Sequence, residues 1–159
     1  MKRIMIIMMM KVSVIFISCA EGTAPGGDDV LNNGPEVVIS ENGDDGSHKN
    51  GAMCMSCHTR GGTAEGWFTL AGSIYLPSGE PAENGWIELY TGKNGSGTKI
   101  NSTEVDAKGN FYTTRKIDYT AGLYAVIISA DGKPTFKNSA VTHGNCNSCH
   151  GITAPKIKF

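Results

Sequence analysis

Two copies of one five-residue pattern frame the chain: Cys54-Met55-Ser56-Cys57-His58 and Cys146-Asn147-Ser148-Cys149-His150. They constrain the fold more than any other feature, because each sets two thiols and an imidazole close together. On a helical turn, residues three and four apart share a face, so Cys, Cys and His converge only if the backbone coils there. Neither copy has a 3.6-residue apolar period around it, and the first is flanked by Gly51, Gly61, Gly62 and Gly66. A short turn without a long helix is therefore predicted at each site. Whatever holds these turns must come from the rest of the chain or from a bound group.

The rest of the chain reads as strands. With 21 glycines, few aromatics and modest charge, a loop-rich or β-rich protein is expected. From Trp67 to Val141 the apolar pattern has period two: Phe68, Leu70, Gly72, Ile74 and Leu76 alternate with small or polar residues, as in a half-buried strand. Further strands are predicted at Trp86–Tyr90, about Thr98–Val105, Asn110–Ile117, Gly122–Ser129 and about Pro134–Ala140. They are separated by Pro77–Pro81, Gly92–Gly97, Asp106–Gly109 and Asp131-Gly132. The segment Leu123 to Ile128 is apolar on both faces, as a central strand would be. The fold class expected is mostly β: a small antiparallel Greek-key-type sandwich flanked by two short segments that carry the cysteines. Six alternating strands would return the chain to the end where it entered, bringing both pentapeptides to one pole. The tail Ile152–Phe159 offers no core of its own.

The stretch Leu70-Ala71-Gly72-Ser73-Ile74-Tyr75, the loop Pro77-Ser78-Gly79-Glu80-Pro81-Ala82, the segment Val105-Asp106-Ala107-Lys108-Gly109-Asn110-Phe111 and the closing Gly122-Leu123-Tyr124-Ala125-Val126 resemble the carboxypeptidase regulatory-like, or transthyretin-like, β-sandwich family. The likeness covers about half the chain, and its motifs are structural. It implies a scaffold and no chemistry.

The N-terminal residues read as an export signal. Lys2 and Arg3 precede an apolar body from Ile4 to Ile17, interrupted by Lys11, and the run is too short and broken to span a bilayer. Phe16-Ile17-Ser18-Cys19 resembles a bacterial lipobox, which implies lipidation of Cys19. The odd fifth cysteine fits that role, because a free thiol would otherwise stand unexplained in an oxidising compartment. Residues 1–18 are thus expected to be a signal peptide and 19–47 a flexible lipoprotein tether, polar apart from Val37-Val38-Ile39. Residues 48–66 form the first ligand-bearing segment, 67–141 the sandwich and 142–159 the second segment. The net charge of −1 becomes more negative once the three basic residues of the leader are gone, which leaves no basic face for nucleic acid.

Each Cys-x-x-Cys-His resembles the attachment signature of a c-type haem, and the pair implies a dihaem cytochrome. In that reading Cys54, Cys57, Cys146 and Cys149 attach two covalent haem c groups through thioethers, and His58 and His150 are the proximal iron ligands. Past the leader the chain holds two methionines, Met53 and Met55, both too near the first motif to reach across its haem, and two further histidines, His48 and His143. Bis-histidine ligation at both irons is expected, with the assignment of His48 and His143 between the haems left open. The function expected is outer-sphere electron transfer at or outside the cell envelope by an exported lipoprotein, on the periplasmic side or the cell surface. Its partners would be other redox proteins or haem subunits, and the membrane through the lipid at Cys19. The alternatives are a subunit of a polymeric multihaem conduit built as a homo-oligomer or filament, a haem enzyme or sensor with one open axial position, and a zinc-stapled β-sandwich adhesion module held by four thiolates. A thioredoxin-type pair lacks its βαβ context.

Overall fold

The computed structural model describes residues 47–64 and 66–159. The expected signal peptide, the lipidation site Cys19 and the tether up to residue 46 lie outside the described residues. Seven strands are present: β1 (Leu70–Tyr75), β2 (Trp86–Tyr90), β3 (Lys99–Glu104), β4 (Asn110–Thr113), β5 (Tyr124–Ile128), β6 (Pro134–Phe136) and β7 (Ile157–Lys158). They form two sheets, β4-β1-β7 and β3-β2-β5-β6. The protein is mostly β, as expected. Six strands lie between the two pentapeptides, and the seventh follows the second one.

Period-two alternation puts one face of each strand inward. Leu70 and Ile74 from β1, Ile87 and Leu89 from β2, Phe111 from β4, and Ala125 and Ile127 from β5 meet in one core with Ala82, Val105 and Leu123. Each large side chain fully buried there contributes roughly 1.5–3 kcal/mol. In the larger sheet β2 is central, pairing antiparallel with β5 from Trp86↔Ile128 to Tyr90↔Tyr124 and with β3 on its other side. β5 is the other central strand, as its apolar run predicts.

Two features depart from expectation. The first is the tail. Ile157 and Lys158 pair parallel with Ile74 and Tyr75, and Phe159 N–H donates to the Tyr75 carbonyl over 3.2 Å. Ile157 and Phe159 pack against the core, so the tail shares the sandwich's apolar interior. A two-residue strand is too short to show a period, and parallel pairing needs no turn signal.

The second is β1. It was expected to be half-buried, yet all six of its residues are buried. Leu70 and Ile74 face the core, while Ala71, Ser73 and Tyr75 are covered from outside. What covers them is the chain around the two pentapeptides.

Candidate functional site

The two pentapeptides adopt the same turn. Cys54–Ser56 and Cys146–Ser148 are single 3-10 turns, entered at Met53 (φ −74°, ψ 85°) and Asn145 (φ −84°, ψ 79°). In the first turn His58 N–H donates to the Cys54 carbonyl over 2.9 Å; in the second His150 N–H donates to Cys146 over 3.0 Å. The shared serine closes each turn from the side: Ser56 Oγ donates to Met53 O at 2.7 Å and Ser148 Oγ to Asn145 O at 2.6 Å. Such local bonds stabilise a coil too short to sustain itself.

Strand β1 holds both turns. Its edge away from β4 is occupied by the second: Ala71 N–H donates to Gly144 O over 2.8 Å, and Ser73 N–H to Asn147 Oδ1 over 3.1 Å. This approach needs two residues without side chains. A Cβ on Gly144 would collide with the Thr69 carbonyl, and one on Gly72 would sit 2.5 Å from Phe111 Cζ and 2.8 Å from Cys146 Cβ. The first turn's segment lies on the strand's outward side. Gly51 N–H donates to Ser73 Oγ over 2.9 Å, Ser47 is buried against Asn110, and Phe68 N–H donates to His58 O over 3.0 Å. The turns also touch each other, since Asn147 Nδ2 donates to Ala52 O over 2.8 Å. The pentapeptides therefore come together, as the strand parity predicts.

The histidines are braced alike. His58 Nδ1 lies 3.3 Å from Gly66 O, and His150 Nδ1 lies 2.7 Å from Pro155 O. A carbonyl can only accept, so each Nδ1 acts as the donor, as it does in a metal-ligating histidine. Phe68 stacks on the His58 ring and on Tyr112. Exposed His48 faces His58 with ring centroids 5.8 Å apart. Two imidazoles sharing one metal, at about 2 Å per bond, have centroids roughly 6 Å apart. His143 is half-buried, next to the Gly144 that is pinned to β1. Among the described residues no ring contact sets it against the first motif.

No disulfide joins Cys54, Cys57, Cys146 or Cys149. Cys57 is exposed and the other three are half-buried. Desolvation raises the Cys54 thiol above its ordinary value and pushes Cys146 up to about 12. A dithiol redox catalyst requires the opposite, a stabilised thiolate. Among the described residues no three His, Cys, Asp or Glu side chains converge as a metal site. The donor set does fit haem: a thiol pair with a braced Nδ1–H histidine at each turn, and exposed apolar Met53 and Ile152 beside them.

The chain matches no protein-family model, no curated protein and no solved structure.

Three residues of the site escaped sequence reading. Ser73 reads as a solvent-facing strand position, Asn110 as the first residue of a strand and Asn147 as a spacer inside the pentapeptide. All three are buried and hydrogen-bonded to one another or to both turns. The pentapeptide pattern leaves its two central positions unspecified, so no signal in it marks Asn147.

Proposed function

We propose that the chain is an exported dihaem c-type cytochrome, lipid-anchored at Cys19, that passes electrons at or outside the cell envelope. The observation that carries this reading is the duplication of one turn, each copy with two thiols and a histidine whose Nδ1–H is held by a backbone carbonyl. Haem, when bound, supplies a reversible one-electron couple. Cys54 and Cys57 would hold one group and Cys146 and Cys149 the other, with His58 and His150 as ligands. His48 would be the second ligand on the His58 side, on the strength of the 5.8 Å ring separation, which would leave His143 for the second site. The protein's own contribution is to orient: β1 fixes both turns, the carbonyls of Gly66 and Pro155 set the imidazole tautomers, and Phe68 limits rotation of His58.

The test is expression with export and c-type maturation, followed by intact mass and a reduced-minus-oxidised spectrum. Two covalent haems with low-spin spectra are expected. A colourless protein, or a mass without haem, ends the reading.

A second reading keeps the cofactors and changes the assembly. Edge strands β3 and β6 carry exposed Ile100 and Phe136, which favours stacking of copies into a longer conduit. Size in solution, or filaments on a grid, separates the two.

A further inference from the structure

We propose that Asn147 is a positioning residue that ties the first Cys-x-x-Cys-His turn to the second, holding the two sites in one fixed relation. The tie itself stands on hydrogen bonds; that it relates two haem sites rests on the function proposed above.

Asn147 lies inside the second pentapeptide, is 3 % exposed, and uses both ends of its amide. Its Oδ1 accepts from Ser73 N–H at 3.1 Å. Its Nδ2 donates to Ser73 Oγ at 3.0 Å and to Ala52 O at 2.8 Å. The amide orientation is not ambiguous, because a backbone N–H can only donate and a carbonyl can only accept.

Ser73 is the pivot. A hydroxyl has one donor and two acceptor positions, and all three are taken. Ser73 Oγ accepts from Gly51 N–H and Asn147 Nδ2, and donates to Asn110 Oδ1 over 2.6 Å. Asn110 in turn donates to Ser47 Oγ over 2.9 Å and accepts from Asn50 Nδ2. The first turn's segment, residues 47–58, contains no strand. Polar bonds to Ser73, Asn110 and Asn147 do for it what a ladder does elsewhere. Of these, Asn147 alone belongs to the other pentapeptide. A buried, fully satisfied network of this kind specifies one geometry, and losing one member leaves the others unpaired.

Asn147→Asp isolates the tie. It keeps the shape and the acceptor facing Ser73 N–H, but has no donors for Ala52 O and Ser73 Oγ. The full exported chain and this variant would be compared by hydrogen exchange, with Leu89→Ala as a control for general destabilisation. We expect exchange across residues 47–58 to rise roughly tenfold in Asn147→Asp while β2 and β5 stay protected, which is the loss expected for a broken buried hydrogen bond. Leu89→Ala should loosen β2 and β5 as well. In the haem-loaded protein the magnetic interaction between the two irons should change in Asn147→Asp and not in Leu89→Ala. Unchanged exchange over 47–58, or an unchanged iron–iron signal, would overturn the proposal. If Asn147→Asp unfolds as a whole, Ser73→Ala removes the pivot, and the same two outcomes decide. A chain without haem would end the functional reading while the exchange experiment still decided the tie.

Discussion

The ring of Phe68 lies on the imidazole of His58 with centroids 4.2 Å apart and planes 15° apart. Phe68 is buried just ahead of β1, and its N–H is hydrogen-bonded to the carbonyl of the same histidine. One residue thus carries the ordering of the sheet into the first turn. Phe68→Ala should cost about 3 kcal/mol by loss of buried ring and cavity formation. Phe68→Leu should recover most of that stability but not the ring stack. Denaturant melts measure the first effect. If haem is bound as proposed, the line shape of one low-spin signal, altered in both variants, measures the second.

His48 and His143 differ in their relation to the first turn, and carbon monoxide should tell them apart. The reduced wild-type protein is expected to bind none. His48→Ala should open one position of two, so that about half of the haem takes up the gas, consistent with its 5.8 Å approach to His58. Full uptake by the wild type would contradict two filled coordination spheres. No uptake by His48→Ala would remove His48 from the first one.

Protein made without haem offers a test of the thiols. Cys146 is held near 12 by burial, against 9.0 for the free group, so it stays protonated at pH 8. Iodoacetamide should label exposed Cys57 first and Cys146 last. The linkage has a definite sign. A thiol pKa raised on folding means the unfolded chain loses its proton first, so the stabilisation is complete below pH 9 and disappears as the pH climbs from 9 toward 12. Chemical melts of the haem-free protein across that window should show the decline, and Cys146→Ser should flatten it.

Two glycines permit the approach of the second turn to β1. Gly144→Ala would drive a methyl group into the Thr69 carbonyl, and Gly72→Ala would press Phe111 and Cys146. Each should cost about 1–3 kcal/mol through overpacking. Thermal melts measure the loss. Gly79→Ala is the control for crowding alone, since nothing lies within 4 Å of its added carbon, although its φ of +98° adds backbone strain of its own.

The strands were readable because alternation is a local property of the chain. Ile87 and Leu89 fall on the buried face of β2 as their spacing predicts, and the six strands between the pentapeptides appear in order. The ends were less secure: the last predicted strand reaches Ala140, whereas β6 stops at Phe136, where its pairing with Val126 ends. The burial of Ser73 was not readable. It depends on a segment more than twenty residues upstream and another more than seventy downstream, and neither leaves a trace in the alternation around position 73. Asn147 was hidden differently, inside a pattern that draws attention to its cysteines and histidine. β7 was missed because its two residues pair with a strand far away in sequence.

The placement of Cys146 has a consequence for timing. Its thiol is half-buried and held protonated by desolvation once residues 144–147 have docked on β1, a contact that spans 74 positions between Ser73 and Asn147. Contacts so distant in sequence close after local hairpins such as β2–β3. Until then the same sulfur belongs to an open chain, with the reactivity of an ordinary thiol. The domain therefore has a window for covalent modification at this residue that its own completion shuts, and on the haem reading proposed above attachment should run ahead of folding.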